Sequence, residues 1–422
     1  MKKLLAFVFV IHLLTFNFIS LIAQEENKDK KFNLKLTGYI KYDMFYDSRQ
    51  IVDSREGHLV MFPQNVELDE DGKDINARGS FNFLSIQSRV ALKITGPDIL
   101  NAKTSGFMEG EFLGTTNANI NSLRLRHAYI KLDWKRSELL LGQYWHPLFP
   151  VDCFPGTVSF NTGMCFQPFA RNPQIRYTAI LGLFNISFTA FSERDFPSRG
   201  LDGSANSAYV RNSGIPSLNV NIQHSNKKVS IEDYFVIGLG GNFKSMLPQL
   251  ETSANYVTSQ KVNAFSAIAY FRKKNKYIDF KISAAYGENS TDFLMVGGFA
   301  VLDTIDFLKK DVSYIPLRNV TTWIDISTTG KMLRFGIFTG YNRNIGTNKD
   351  IHGSIYGYYT NIKYLYRISP RVDYFIKNLQ VGMEFESTIA AFGDGSYSRK
   401  AIPMNTREVM NWRILLGIYY HF

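Results

Sequence analysis

The sequence predicts an all-β protein: a transmembrane antiparallel β-barrel of about 16 strands, with short periplasmic turns and long extracellular loops. Three observations predict it. Apolar and polar residues alternate over segments of ten or more residues from residue 32 to the end. Those segments are joined alternately by short and by long connectors, and an apolar leader stands before the first of them.

Lys2 and Lys3 precede an apolar run from Leu4 to Ala23, then the polar stretch Gln24-Glu25-Glu26-Asn27-Lys28. A basic start, an apolar middle and a small residue before polar ones describe a secretory signal peptide, residues 1–23. Residues 24–31 then form a short periplasmic N-terminal segment, and residues 32–422 a single barrel domain. The 422-residue chain carries 48 Lys and Arg against 37 Asp and Glu, a net charge of +11, of which Lys2 and Lys3 contribute two. In an exported chain this surplus does not point to nucleic acid. Two cysteines cannot build a disulfide scaffold, and no CxxC, HExxH, Walker A or zinc spacing occurs. No nucleophile motif accompanies His127 or His146, so no enzyme, metal or cofactor is expected. Asp69-Glu70-Asp71-Gly72-Lys73-Asp74 lacks the distal Glu of a calcium loop and reads as a solvated loop.

The alternation begins with Leu34, Leu36, Ile40, Tyr42 and Met44 against Lys35, Thr37, Lys41 and Asp43. It continues with Leu84, Ile86, Val90, Leu92 and Ile94 against Ser85, Gln87, Arg89 and Lys93. It returns at 184–189, 218–223, 356–368 and 412–422. Period two means strands with one apolar and one polar face. Soluble sandwiches alternate too, but their strands average about 5–6 residues, whereas roughly 9–11 tilted residues cross a bilayer.

Short connectors are expected near 96–98, 135–137, 181–182, 225–228, 273–275, 329–331 and 369–371. Long ones are expected near 47–78, 115–121, 146–170, 193–216, 245–260, 287–316, 343–354 and 392–405. That alternation belongs to outer-membrane barrels. The last strand ends Gly417-Ile418-Tyr419-Tyr420-His421-Phe422, similar to the terminal signal read by barrel-assembly machinery. Trp412, Ile414, Leu416, Ile418, Tyr420 and Phe422 form its outward stripe, facing outer-membrane lipid and lipopolysaccharide.

With the apolar residues turned outward, Arg89, Glu109, Glu111, Arg124 and Arg126 face the lumen. Register from the turns sets Arg89 opposite Glu109, Glu109 opposite Arg126, and Glu111 opposite Arg124. The ladder either braces the wall or guides solutes. A phase slip after Arg126 calls for a bulge. Further inward candidates are Lys41, Arg176, Arg334, Lys363, Arg367 and Arg413, opposed by Asp43, Asp279, Asp325, Glu384 and Glu386. An excess of cations in a narrow pore favours small anionic solutes by a few kT.

The third long connector, 146–170, is apolar and aromatic: His146-Pro147-Leu148-Phe149-Pro150-Val151-Asp152-Cys153-Phe154-Pro155. Such a loop either folds into the lumen or forms an outer cap or subunit contact. Asp152, Cys153, Cys165 and Arg171 are its constriction candidates. In an oxidising compartment Cys153 and Cys165 either pair or stay free, and spacing does not decide.

Phe81-Asn82-Phe83 with Gln87-Ser88-Arg89, Glu109-Gly110-Glu111-Phe112 and Leu123-Arg124-Leu125-Arg126-His127-Ala128-Tyr129 resemble the DcaP-like outer-membrane porins. Leu141-Gly142-Gln143-Tyr144-Trp145, Pro155-Gly156-Thr157-Val158 and Arg171-Asn172-Pro173-Gln174 are similar as well. The resemblance covers residues 38–180. It implies a homotrimer of sixteen-stranded channels passing small, often negatively charged, organic solutes. Some members carry a periplasmic helical extension; here only Gln24–Lys31 precede the first strand. The composition resembles outer-membrane proteins of Bacteroidetes-type bacteria. The expected function is therefore a passive diffusion channel in the Gram-negative outer membrane. The alternative is a barrel whose surface loops bind a partner or ligand with little conductance.

Overall fold

The computed structural model describes residues 32–160 and 163–422. The signal peptide and the segment 24–31 lie outside the described residues. Sixteen antiparallel strands close into one cylinder. In chain order they are β1 (Asn33–Asp47), β2 (Ser80–Leu84 and Arg89–Thr95), β3 (Lys103–Phe112) and β4 (Leu123–Asp133). Next come β5 (Ser137–Trp145), β6 (Arg171–Leu181), β7 (Phe184–Phe191) and β8 (Ser217–Ser225). β9 (Tyr234–Met246), β10 (Val262–Lys274), β11 (Ile278–Glu288) and β12 (Arg318–Thr328) follow, then β13 (Leu333–Gly346), β14 (Ile362–Ile376), β15 (Leu379–Phe392) and β16 (Arg407–His421). Each pairs with its sequence neighbours, and β1 closes on β16 from Tyr39↔His421 to Asp47↔Arg413.

The burial pattern is inverted relative to a soluble sheet. On β8, Leu218, Val220 and Ile222 are exposed while Asn219 is buried. On β16, Ile414 and Tyr420 face outward, as does Phe422 just past its end, while Asn411 and Arg413 are buried. Polar residues point to a lumen and apolar ones to lipid, as a membrane barrel requires.

Two boundaries differ from the sequence expectation. β2 is not one continuous strand: Gln87 takes a left-handed φ of 70°, and the segment between its halves folds inward. Leu84 and Ile86 are therefore buried inside, not lipid-facing, while Val90 resumes the outer face. The turn expected at Ser369-Pro370-Arg371 lies within β14; the chain reverses at Lys377 and Asn378 instead. Pro370 interrupts the ladder to β15, whose pairs jump from Ile368↔Ser387 to Arg371↔Glu384. A residue without an N–H can sit in a strand where it removes only a rung.

Among the long connectors, the first carries a hairpin (Ile51–Ser54 with Leu59–Pro63) that turns into the barrel. Leu59, Val60, Met61 and Phe62 are fully buried there. Leu59, Met61 and Phe62 join Phe149, Phe160, Phe166 and Phe169 of the third connector, and Phe293 to Val296 of the sixth, in one apolar cluster. The sixth and seventh connectors share a small sheet in which Gly297–Asp306 pairs with both Asp311–Pro316 and Ile355–Tyr358.

The fourth and sixth connectors are fastened to the end of β9 by one buried lysine. Lys244 Nζ donates to Ser198 Oγ (3.0 Å), Asn289 O (2.9 Å) and Asp292 Oδ1 (2.6 Å), and lies 3.7 Å from Glu193 Oε1. Glu193 also accepts from the Ser198 N–H at 2.7 Å. Burial pushes the Glu193 carboxyl up to about 7, against the attraction of Lys244 and with the repulsion of Asp292. A carboxyl raised in the folded state stabilises it below the ordinary value of 4.5, and that contribution is lost as pH rises through about 7. Limited proteolysis within 193–216 should be slow at about pH 5.5 and faster at about pH 8, with Glu193→Gln flattening the profile. A wild-type rate independent of pH would remove Glu193 from the clamp.

Candidate functional site

The bulge in β4 builds the densest charge cluster of the lumen. Glu109 pairs with His127 and Gly110 with Leu125, so Arg126 is the extra residue and both Arg126 and His127 turn inward. The β2–β3 register differs from the expected one: Arg89 stands opposite Glu111, and Ala91 opposite Glu109. The turn between these strands is centred on Leu100 and not on Ile99, and moving the centre by one residue shifts every pair by two. Glu111 does stand opposite Arg124.

Glu111 is fully buried and is held by three guanidinium groups. Arg89 Nη2 donates at 3.0 Å, Arg124 Nη2 at 2.6 Å and Arg126 Nη1 at 2.8 Å. Arg126 Nε also donates to Glu109 at 2.6 Å. One carboxylate serving three arginines is favourable only with such short, charge-assisted bonds, because each ion has given up water. The cluster extends through Asp195 of the fourth connector, 3.7 Å from Arg124 and bonded by Arg171 Nε at 2.8 Å. Arg171, the first residue of β6, is buried and stacks 5.1 Å from the Trp145 ring.

The other candidates are not brought to this cluster. Arg176 is half-buried, donates to Trp145 O at 2.9 Å and lies over Tyr144. Arg334 is exposed beside the turn before β13, donating to Gly330 O and stacking on Phe375. Arg413 points inward but is sealed beneath the first-connector hairpin, paired with Asp47 and 4.2 Å from the Phe45 ring. Alternation assigns a side chain to a face; it does not say whether another segment covers it.

The third connector crosses the lumen and reaches deep toward the short-turn rim. Asp152 pairs with Lys227 of the turn after β8 at 2.7 Å, and Arg272 of β10 donates to the Asp152 carbonyl. Glu384 of β15 accepts the N–H groups of Val158 and Ser159, and Tyr419 of β16 donates to Val158 O. The wall is hollowed where the connector touches it. A Cβ on Gly340 would meet the Phe166 ring at 2.6 Å, and one on Gly382 the Val158 side chain at 2.8 Å. Beside Gly156, Asp325 holds Arg371 at 2.7 Å and Lys281 at 3.4 Å.

Cys153 and Cys165 are both free. They anchor the connector to different parts of the barrel: Cys153 Sγ lies 3.4 Å from Phe271 O, Cys165 Sγ 3.5 Å from Met61 Sδ. No disulfide forms because the two seats are on separate contacts.

Sequence reading missed Arg55, His58 and Asp195. Arg55 donates to Leu113 O, and His58 contacts Gln87 and Asp43. The missed signal was His58-Leu59-Val60-Met61-Phe62-Pro63, an apolar run in a supposedly wet loop, the same criterion that singled out 146–155.

Between the Arg89–Arg126 cluster, the third connector and the lower wall lies a cavity of about 450 Å³. Its lining includes Tyr39, Arg89, Glu109, Arg126, His127, Trp145 and Tyr419. Among the described residues no group of His, Cys, Asp or Glu is arranged to hold a metal ion.

A sixteen-stranded cylinder, apolar without and charged within, with a connector folded through its bore, defines an outer-membrane porin. Residues 22–231, just under half of the chain, match the family model described as DcaP outer membrane protein. The fold is similar to the outer membrane channel DcaP of Acinetobacter baumannii, with TM-score 0.68 and 17% identity over 93% of this chain and 97% of that one. It is also similar to the anion-selective porin from Comamonas acidovorans (TM-score 0.54, 11% identity, 93% and 100% covered). A trimer form of OmpT from Vibrio cholerae matches at TM-score 0.53 and 8% identity, covering 93% of this chain and 99% of that one. No curated protein gives a significant sequence match. The protein is an outer-membrane channel of a Gram-negative bacterium.

Burial pushes both thiols up to about 12, so neither is a thiolate at neutral pH. In the folded, detergent-solubilised protein a maleimide should label neither cysteine within the time that it labels both after denaturation. Rapid labelling of either would mean that the third connector leaves the lumen.

Proposed function

We propose that this channel is a passive diffusion pore for small hydrophilic anions, assembled as a homotrimer. The observation that carries the reading is the charge balance of the connected cluster. Arg89, Arg124, Arg126 and Arg171 are ion-paired with only Glu109, Glu111 and Asp195. In a narrow bore with low-dielectric walls an unbalanced cation raises the local concentration of anions and repels cations.

Two neighbours of the fold point the same way, one being described as anion-selective and another as a trimer form. Lipid and lipopolysaccharide meet the outward apolar face, and the C-terminal strand is the segment offered to the assembly machinery. Residues 1–23 act as the export signal, and the composition suits a Bacteroidetes-type source.

The lumen is also heavily filled: the first and third connectors put Leu59, Met61, Phe62, Phe149, Phe160, Phe166 and Phe169 inside it. That filling favours, as the second reading, a barrel whose loops bind a partner and conduct little. Planar-bilayer recording separates the two. The porin reading expects stepwise openings, in threes for a trimer, and an anion-biased reversal potential in a salt gradient. Arg89→Gln should lower the anion-to-cation permeability ratio by roughly threefold, about one kT of cavity potential. A silent bilayer would favour the loop-binding reading, and an unchanged ratio in the variant would leave Arg89 as a wall brace.

A further inference from the structure

The charge of the chain is divided unevenly between the two rims of the cylinder. The seven short turns (96–102, 134–136, 182–183, 226–233, 275–277, 329–332 and 377–378) carry seven Lys and Arg against three Asp and Glu. The eight long connectors, from 48–79 to 393–406, carry 13 against 18. The short-turn rim is therefore basic and the long-connector rim acidic. Of the seven turn cations only Lys227 is ion-paired among the described residues, to Asp152 of the third connector. The carboxylates Asp98 and Asp233 are already engaged by Lys103 and Lys273 at the strand ends. Unpaired cations at a bilayer surface attract anionic headgroups.

The turn between β4 and β5 gives this charge a shaped recess. The Trp134 N–H bonds Ser137 O and the Ile180 N–H bonds Arg136 O, each at 2.8 Å, so the turn is held against β6. Asp133 and Glu138, the nearest carboxylates in sequence, are both engaged by Lys131, at 3.5 and 2.5 Å. Lys135 and Arg136 are exposed. Trp134 Nε1 donates to Leu100 O of the neighbouring turn at 2.9 Å, which fixes the indole. Here opens a recess of about 600 Å³ lined by Asn101, Trp134, Lys135, Arg136, Ser137 and Tyr177. Tyr177 stands opposite Leu139 and, like Ile175 on the same face of β6, is exposed toward lipid. The recess thus lies where the apolar band meets the turns, the level at which Trp and Tyr rings suit a membrane interface.

We propose that this recess binds the headgroup phosphate of an anionic phospholipid of the periplasmic leaflet, with Lys135 and Arg136 on the phosphate and Trp134 and Tyr177 against the glycerol and upper acyl chains. Arg136 offers a planar fork to phosphate oxygens and Lys135 a point charge. A phospholipid joins its phosphate to apolar chains and so meets the cations and the lipid-facing rings together. Soluble phosphate meets the cations alone. The site is on the outside of the wall, and its occupancy is independent of what the bore passes.

The test uses the purified full-length channel with Trp412→Phe, reconstituted in phosphatidylcholine whose acyl chains are brominated. Bromine quenches indoles in contact with lipid. Trp323 is buried and Trp145 lines the internal cavity, so Trp134 becomes the reporter. Unbrominated phosphatidylglycerol or phosphatidylcholine is titrated in, and the recovery of fluorescence gives their relative association constant. Phosphatidylglycerol should be favoured about fivefold at low salt, the effect of one surface cation. Lys135→Gln with Arg136→Gln should bring the ratio to about one. Lys228→Gln with Lys276→Gln, on other turns of the same rim, should leave it unchanged. Inorganic phosphate, matched with chloride for ionic strength, should not alter the recovery curve.

Equal association of the two lipids in the parent protein, or an undiminished preference in the Lys135→Gln, Arg136→Gln variant, would overturn the site. A loss as large in the Lys228→Gln, Lys276→Gln variant would also overturn it, because the whole rim and not the recess would then carry the preference. Loss of the preference on adding inorganic phosphate would overturn it too, by making a soluble anion the occupant.

Discussion

In hydrocarbon every backbone N–H and C=O must find a partner within the protein, because no water is present to take its place. The structure meets that constraint by closing β1 on β16, which leaves no free edge. The departures from regular pairing are themselves satisfied. Where β2 breaks, the Gln87 N–H bonds Phe112 O, and the Lys41 N–H bonds Ser88 Oγ. Where Pro370 interrupts β14, the missing rung is on the β15 side and the β13 pairing continues through Ile337↔Pro370. Closure then fixes everything else: alternate residues are committed to lipid or to the bore.

Inside the bore the opposing requirement is charge. Side chains such as Glu111, Asp325 and Arg413 are buried, and each has an ion partner within hydrogen-bond reach. These pairs brace the wall from its inner face, and they set the field inside the bore. Bracing and charge balance are thus one arrangement, since the cations left over after pairing are held in place by the pairs.

The connectors supply what strands cannot. A cylinder of this size would leave a wide aqueous hole, but two apolar connectors enter it and build a core around Phe62, Phe166 and Phe169. They dock where the wall lacks side chains, at Gly340 and Gly382, and where Arg367 donates to the carbonyls of Val60 and Met61. Apolar burial of roughly 1.5–3 kcal/mol per large side chain offsets the ordering of these long segments. The cavity of about 450 Å³ that remains is lined by rings such as Tyr39 and Trp145 together with Arg89 and Arg126.

The sequence by itself determined a barrel of about sixteen strands, the lipid-facing stripe of β16, the inward direction of Arg124, Arg126 and Glu111, and the bulge beside Arg126. All of these follow from period-two alternation and turn spacing, which are properties of neighbouring residues. Only the tertiary structure decided that Arg413 is sealed, that Arg89 meets Glu111, that Cys153 and Cys165 stand apart, and that the first connector turns inward. Those outcomes depend on contacts across the bore, such as Arg367 with Val60, which are 307 positions apart in the chain. Local periodicity assigns a residue to a face of the wall; what lies over that face is set by how distant segments share the enclosed space.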